Sequence, residues 1–222
     1  MITAVLFDLF ETLITESAIQ PTRASSLAAA LGVESDAYRE AWKARRPDVL
    51  RGQMSFADAL TQISRALTGK ADDVAIQSIC QQRAREKATV YAQIHPEIAG
   101  LVSSLARRDV ALALISNGFA EDVIGWPECS LAHEFRCTAF SCRERISKPD
   151  PEIYRRAVRR LGVNPATAVY IGDGGDDELA GAEHAGLRAY RAAWFVRKSR
   201  QSATWPELTE PRDVLKLVAA GE

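Results

Sequence analysis

The chain has 222 residues, with 28 Lys and Arg against 29 Asp and Glu, a formal net charge of -1, and 47% hydrophobic against 26% charged residues. That length and balance belong to a folded globular protein with a substantial core, and they exclude a chain disordered throughout. They also exclude binding driven mainly by attraction to a polyanion, because nucleic-acid readers carry a clearly basic domain or stripe; Arg107-Arg108 and the cluster Arg197, Lys198 and Arg200 are too short to reverse this and read as solvated surface.

In chain order, Ala4-Val5-Leu6-Phe7 is a continuous apolar run of the kind that forms a strand buried on both faces of a parallel sheet. Asp8 stops it at once, with no basic leader and no cleavage site, so a signal peptide is not expected. No stretch approaches the roughly 18 to 20 apolar residues that span a bilayer. The expectation is a cytoplasmic protein with neither nucleic-acid nor membrane partners, acting as a monomer or homodimer. From about Pro21 to about Gln93 the apolar residues, among them Leu27, Leu31, Tyr38, Trp42, Leu60 and Ile63, recur at helical spacing with no β-branched run. Pro21 suits a helix start, Gly32 and Gly52 break the pattern, Ser55 is placed to cap the next helix, and Thr68-Gly69 ends it.

After Pro96 a helix leads to the apolar run 110–115, which ends in Ser116-Asn117-Gly118. Residues 151–161 read as a helix, 168–171 as a strand followed by Gly172-Asp173-Gly174-Gly175, 178–185 as a helix and 187–190 as a further strand. Such alternation predicts an α/β fold, a Rossmann-like three-layer core with a mainly parallel sheet, formed by residues 1–15 and 94–222, plus an all-α domain over 16–93. Ligands of such sheets bind at the carboxyl ends of the strands, where Asp8, Ser116 and Asp173 would gather. Cys80, Cys129, Cys137 and Cys142 form no CxxC pair and are expected to be free thiols.

These strand ends supply the parts of a phosphoryl-transfer site. A phosphate ester repels an attacking carboxylate, so Asp8 can approach phosphorus only where cations neutralise the charge. Asp173, Asp177 and Glu178 offer hard oxygen ligands suited to Mg2+, and carboxylates are established nucleophiles that form an aspartyl-phosphate.

At four places the chain resembles the haloacid dehalogenase superfamily: Phe7-Asp8-Leu9-Phe10-Glu11-Thr12-Leu13, Ile115-Ser116-Asn117, Lys148-Pro149-Asp150-Pro151, and Gly172-Asp173-Gly174-Gly175-Asp176-Asp177-Glu178. The superfamily consists mostly of Mg2+-dependent phosphatases and contains dehalogenases as well. Four motifs in order are a strong signal where one would be weak. The resemblance implies that the all-α segment is a helical cap, that Asp8 is nucleophile and metal ligand, and that Thr12 and Ser116 bind the phosphoryl oxygens. It further implies that Lys148 offsets the charge, that Asn117 and Gly118 contact substrate, and that Asp173 with Asp177 or Glu178 holds Mg2+ together with the backbone carbonyl of Phe10. The expected reaction is hydrolysis of a small phosphorylated metabolite.

One position departs from the pattern. Family phosphatases usually carry a general acid two residues after the nucleophile, where this chain has Phe10. Loss of acid–base catalysis costs about 10²- to 10⁴-fold in rate unless another group substitutes; Glu11 is the nearest candidate. Dehalogenases also lack that acid, so metal-free dehalogenation is an alternative, as is a phosphoryl-binding or regulatory protein with impaired turnover. The acid-rich fourth motif favours the metal-dependent reading, since carboxylates crowded without a cation are costly. His95, His133 and His184 lie outside the motifs and read as surface or packing residues. Trp42 is placed where substrate contact is feasible, and helix-surface charge is the default reading for each of Arg23, Arg45, Arg46 and Arg51.

Overall fold

The computed structural model describes residues 1–16, 24–195 and 204–219. In chain order the elements are β1 (Ala4–Phe7), α1 (Ala24–Ala30), α2 (Ser35–Leu50), α3 (Phe56–Thr68), α4 (Asp73–Tyr91), α5 (Pro96–Arg107), β2 (Ala111–Ser116), α6 (Ala120–Val123), β3 (Cys137–Phe140) and α7 (Ser141–Glu144). They continue with α8 (Pro151–Leu161), β4 (Ala168–Gly172), α9 (Glu178–His184), β5 (Arg188–Ala192), β6 (Glu207–Leu208) and α10 (Asp213–Ala219). Pro21, Arg23 and the cluster Arg197, Lys198 and Arg200 lie outside the described residues.

The strands form one six-stranded sheet in the order β3-β2-β1-β4-β5-β6, all pairs parallel. The chain order reverses at β1, so a crevice opens between β1 and its neighbours at their carboxyl ends. Phe7 pairs with Leu114 on one side and Ile171 on the other, which brings the residues following β1, β2 and β4 to one edge.

The two-residue strand period sorts the core into two layers. Val5, Phe7, Leu112, Leu114, Val169 and Ile171 pack against α5 and α10 through Ile98, Leu101, Leu105 and Val214. Ala4, Leu6, Ala113, Ile115 and Tyr170 pack against α8 and α9 through Ile153, Tyr154, Leu179 and Ala182. The strands over 111–116, 168–172 and 188–192 lie where the sequence pattern predicts, within a residue or two. β3, β6 and α10 were not expected: Cys-Thr-Ala-Phe and Glu-Leu are too short for a period to show, and their pairing comes from neighbouring strands.

Helices α1 to α4 bury their own cluster, built on Tyr38, Leu50, Phe56, Leu60 and Ile63, into which Phe119 inserts from the loop after β2. Ser55 caps α3 by accepting from the Asp58 N–H at 3.0 Å. The segment 51–53 approaches the sheet domain closely: a Cβ on Gly52, already at φ 62°, would sit 2.0 Å from the Cys142 carbonyl oxygen, so only glycine is accommodated there. The end of α4 leaves this cluster, and Val90 and Tyr91 pack in the sheet's own core. All four cysteines are free.

Candidate active site

Asp8 follows β1 at the carboxyl edge of the sheet and is 5% exposed. Lys148, which precedes a cis peptide to Pro149, brings Nζ to 2.5 Å from Asp8 Oδ1 and 2.5 Å from Glu178 Oε2. The same ammonium donates to Tyr170 Oη at 3.1 Å, and that hydroxyl donates to Glu178 Oε2 at 2.6 Å. The Gly174 N–H donates to the other Glu178 oxygen at 3.0 Å, so the buried acid and the buried base each have several partners, as burial of charge requires.

The backbone of Lys148 is fixed from the second motif. Its N–H donates to Asn117 Oδ1 at 2.9 Å, and Asn117 Nδ2 donates back to the Lys148 carbonyl at 3.0 Å. Asn117 Nδ2 also donates to Asp176 Oδ2 at 2.9 Å, and Arg46 Nη2 of α2 reaches the same oxygen at 3.2 Å. On the other side, a Cβ on Gly181 of α9 would lie 2.4 Å from the Pro149 carbonyl oxygen; the bare backbone lets α9 pack against the lysine-bearing segment.

Burial pushes Asp8 up to about 7; Lys148 opposes the rise, and Glu178 and Asp173 add to it. Lys148 is held protonated: burial works against its charge, but Asp8 and Glu178 outweigh it. Burial, and then the neighbouring Glu178, also raise Asp173. Carboxylate oxygens of Asp8, Asp173 and Glu178 lie within 4.8 Å of one another. Three gathered acids against one lysine leave a deficit of positive charge, and an all-oxygen donor set of this kind suits Mg2+.

Of the two acids left open in the fourth motif, Glu178 joins this cluster and Asp177 is exposed. Asp176 and Asp177 adopt φ of 50° and 53°, and this left-handed turn precedes the buried Glu178 at the start of α9. Thr12 and Ser116 are both fully buried, and Thr12 Oγ1 has no hydrogen-bond partner among the described residues. Gly118 N–H donates to Ser141 Oγ at 3.1 Å.

The Glu11 carboxylate is engaged elsewhere. It accepts from Thr15 Oγ1 at 3.1 Å and from the Glu16 N–H at 2.7 Å, which holds the turn in which Glu11 itself sits at φ 58°. The Phe10 ring meets Tyr91 edge-on at 6.5 Å and lies 4.1 Å below Lys87 Nζ, in a cation–π contact. Lys87 is in turn paired with Glu16. His95 caps α5 by accepting from the Glu97 N–H, and His133 is exposed, in keeping with surface and packing roles.

Tyr170 was missed in the sequence because it sits inside an apolar strand and reads as core. A tyrosine in a strand buried on both faces needs a partner for its hydroxyl, and that requirement was the available signal. Asp176 was hidden in a run of acids.

A doubly wound parallel sheet with a buried lysine among carboxylates at its switch point is an α/β enzyme architecture. The sequence model of the haloacid dehalogenase-like hydrolases matches residues 2–186, and the chain belongs to that family of hydrolases. A glyceraldehyde 3-phosphate phosphatase of Methanopyrus kandleri is 26% identical over 229 residues, covering 98% of this chain and 97% of that protein. A phosphoserine phosphatase of Thermus thermophilus is 35% identical over 129 residues, 54% of this chain; the match spans 49% of that relative's length. Among solved structures, a 2-haloacid dehalogenase from Pseudomonas syringae pv. Tomato superimposes with a TM-score of 0.74 at 25% identity, each chain covered completely.

Proposed function

We propose that the protein is a Mg2+-dependent phosphatase of a small phosphorylated molecule, with Asp8 as the group that receives the phosphoryl. The observation that carries this reading is the gathering of Asp8, Asp173 and Glu178 around one buried lysine. The two phosphatase-named relatives support it. Asp8 Oδ attacks phosphorus, the bond to the leaving oxygen breaks, and water then cleaves the aspartyl-phosphate to return Asp8 and free phosphate. Lys148 keeps the attacking carboxylate and the phosphoryl charge compensated, and the unpaired Thr12 hydroxyl with Ser116 offers donors to phosphoryl oxygens. Asp8, Asp173, Glu178 and the Phe10 carbonyl would hold Mg2+, which supplies Lewis-acid charge neutralisation when bound.

In this reading residues 16–93 act as a cap on the core formed by 1–15 and 94–222. A cavity of about 300 Å³ between α1 to α4 and the sheet edge, bounded by Phe10, Asn117 and Gly118, receives the leaving group. No described helix is long and apolar enough to cross a membrane, and the free thiols support a cytoplasmic setting.

The test is release of phosphate from a panel of monoesters. Release is expected to require Mg2+, to stop in excess chelator and to be lost in Asp8→Asn; equal release by that variant would sink the assignment. Phe10 and the likeness to a 2-haloacid dehalogenase favour a second reading, metal-free dehalogenation. The gathering of Asp8, Asp173 and Glu178 around a single lysine weighs against it, because without a metal ion that one ammonium is left to offset three neighbouring acids. Halide release from a 2-haloacid that persists in chelator would favour the second reading.

A further inference from the structure

The cavity beside the Asp8 site has a wall of rings and two buried donors without a partner among the described residues, the Tyr38 hydroxyl and Arg83 Nε. Tyr38, Trp42, Phe56 and Phe119 pack together there: Tyr38 stacks on Trp42 at 6.5 Å, Trp42 meets Phe56 and Phe119 edge-on at 5.6 Å, and Phe56 stacks on Phe119 at 5.6 Å. Tyr38 is 1% exposed, lines the cavity, and has no hydrogen-bond partner for its hydroxyl among the described residues. A buried tyrosine hydroxyl left without a partner is costly, and a native fold tolerates it where a ligand supplies the missing acceptor. Burial pushes this hydroxyl up to about 12, so it remains a donor throughout the neutral range.

The cations that line the same cavity each carry an acid partner, although Arg83 Nε has no hydrogen-bond partner among the described residues. Arg83 bridges to Asp122 at 2.7 Å while lying over the rings of Phe119 and Phe56. Lys87 is paired with Glu16, and Arg46 with Asp176. A second phosphate on the substrate would share these cations with acids already paired to them, whereas a flat apolar group meets the rings directly.

A second, independent feature points the same way. Phe10 offers no proton to the departing oxygen, so the site favours leaving groups that are stable as anions. Phenolate oxygens meet that need and alkoxides do not. A single phenyl ring with one or two small substituents is also of a size that a cavity of about 300 Å³ admits.

We propose that the substrate is an aryl phosphate, the monoester of a phenol that carries one further hydrogen-bond acceptor, with its ring against Trp42, Phe56 and Phe119 and that acceptor on the Tyr38 hydroxyl. The proposal rests on the phosphatase reading for its chemistry, but not for its binding preference. The ring stands in the cavity, the phosphoryl group reaches Asp8, and the phenolate oxygen departs as its bond to phosphorus breaks.

The test separates binding from turnover. Binding of phenyl phosphate, 3- and 4-hydroxyphenyl phosphate, glucose 6-phosphate and fructose 1,6-bisphosphate is measured by calorimetry on the full-length Asp8→Asn protein with Mg2+. The aryl esters are expected to bind at least tenfold more tightly than either sugar phosphate. Tyr38→Phe in the same background is expected to weaken one of the hydroxyphenyl esters about 2- to 10-fold more than phenyl phosphate, the range one hydrogen bond provides. Tyr38→Phe should also raise the Tm of the ligand-free protein, since it removes an unsatisfied buried hydroxyl; a purely structural role would lower it.

Sugar phosphates that bind as tightly as the aryl esters would overturn the proposal, as would absence of aryl ester binding. Equal losses for the substituted and unsubstituted rings, or a lowered Tm in Tyr38→Phe, would overturn the role given to the hydroxyl. Turnover tells the two readings apart. If the binding order holds but the wild-type protein releases no phosphate from any ester, the phosphatase reading fails and the binding preference stands. If sugar phosphates bind and turn over better than the aryl esters, the reverse is true.

Discussion

Lys148 and Asp8 lie 140 residues apart in the chain, yet Nζ sits 2.5 Å from Oδ1 with both side chains almost wholly buried. The contact needs two separate supports. The parallel register of β1 with β2 and β4 fixes Asp8 at the sheet edge, and the paired hydrogen bonds to Asn117 fix the backbone that carries the lysine.

Removing the lysine should therefore be costly. Lys148→Met leaves Asp8 and Glu178 buried without a cation, and a loss of about 3 kcal/mol is expected in urea unfolding without metal, typical of breaking a buried pair. The double variant Lys148→Met/Asp8→Asn should recover part of it. A loss below about 0.5 kcal/mol would show that the ammonium does not hold the cluster together.

Magnesium should act on stability as well as on rate. A ligand present at 100 times its Kd raises stability by about 2.7 kcal/mol if it binds only the folded state. Thermal unfolding is expected to show a rise of Tm with Mg2+ that chelator reverses. Most of that rise should be absent in Asp173→Asn, and an undiminished shift in that variant would place the metal elsewhere.

Phe10→Asp should restore a proton donor beside the leaving oxygen. With Mg2+, kcat on an alkyl phosphate is predicted to rise about 10²-fold, towards the contribution of a positioned acid. The gain should be small for 4-nitrophenyl phosphate, whose leaving group needs no proton. Equal gains on both would show that the substitution acts through packing around Tyr91 and Lys87 instead.

Glu144 gives a pH dependence remote from the site. Burial would raise its carboxyl, but Arg160 and Arg156 outweigh burial and hold it below its ordinary 4.5. Arg160 Nη1 lies 2.5 Å and Arg156 Nη1 3.3 Å from its oxygens, tying α7 to α8. A lowered folded value means that the stabilisation is present in full above the ordinary value and is lost as pH falls through it and through the lower folded value. Glu144→Gln is thus predicted to cost about 1–2 kcal/mol at pH 7 and much less at pH 3, by urea unfolding at both pH values.

Much of the architecture was legible because it is written locally. Apolar runs at 4–7, 111–116 and 168–172 each end in a polar residue, and continuous apolar strands of this kind belong to a parallel sheet that puts those ends together. Helical spacing between Leu27 and Ile79 marked out α1 to α4 in the same way. The short strands β3 and β6 were not legible, because four and two residues carry no period and depend on partners elsewhere in the chain.

By itself the sequence determined the α/β sheet, the helical segment between its first two strands, and a set of acids, hydroxyls and one lysine destined for a single edge. Tertiary structure decided which of them meet. The left-handed turn at Asp176 and Asp177 leaves Asp177 in solvent while Glu178 is buried beside Lys148, although the two acids are adjacent. The turn at Glu11 directs that carboxylate to Thr15 and Glu16. Tyr38 has an ordinary place in a helical pattern, and only the packing of α1 to α4 and Phe119 around it leaves its hydroxyl buried and without a partner among the described residues. Backbone dihedrals at single residues and contacts between distant segments set these directions, and neither leaves a periodic mark in a sequence.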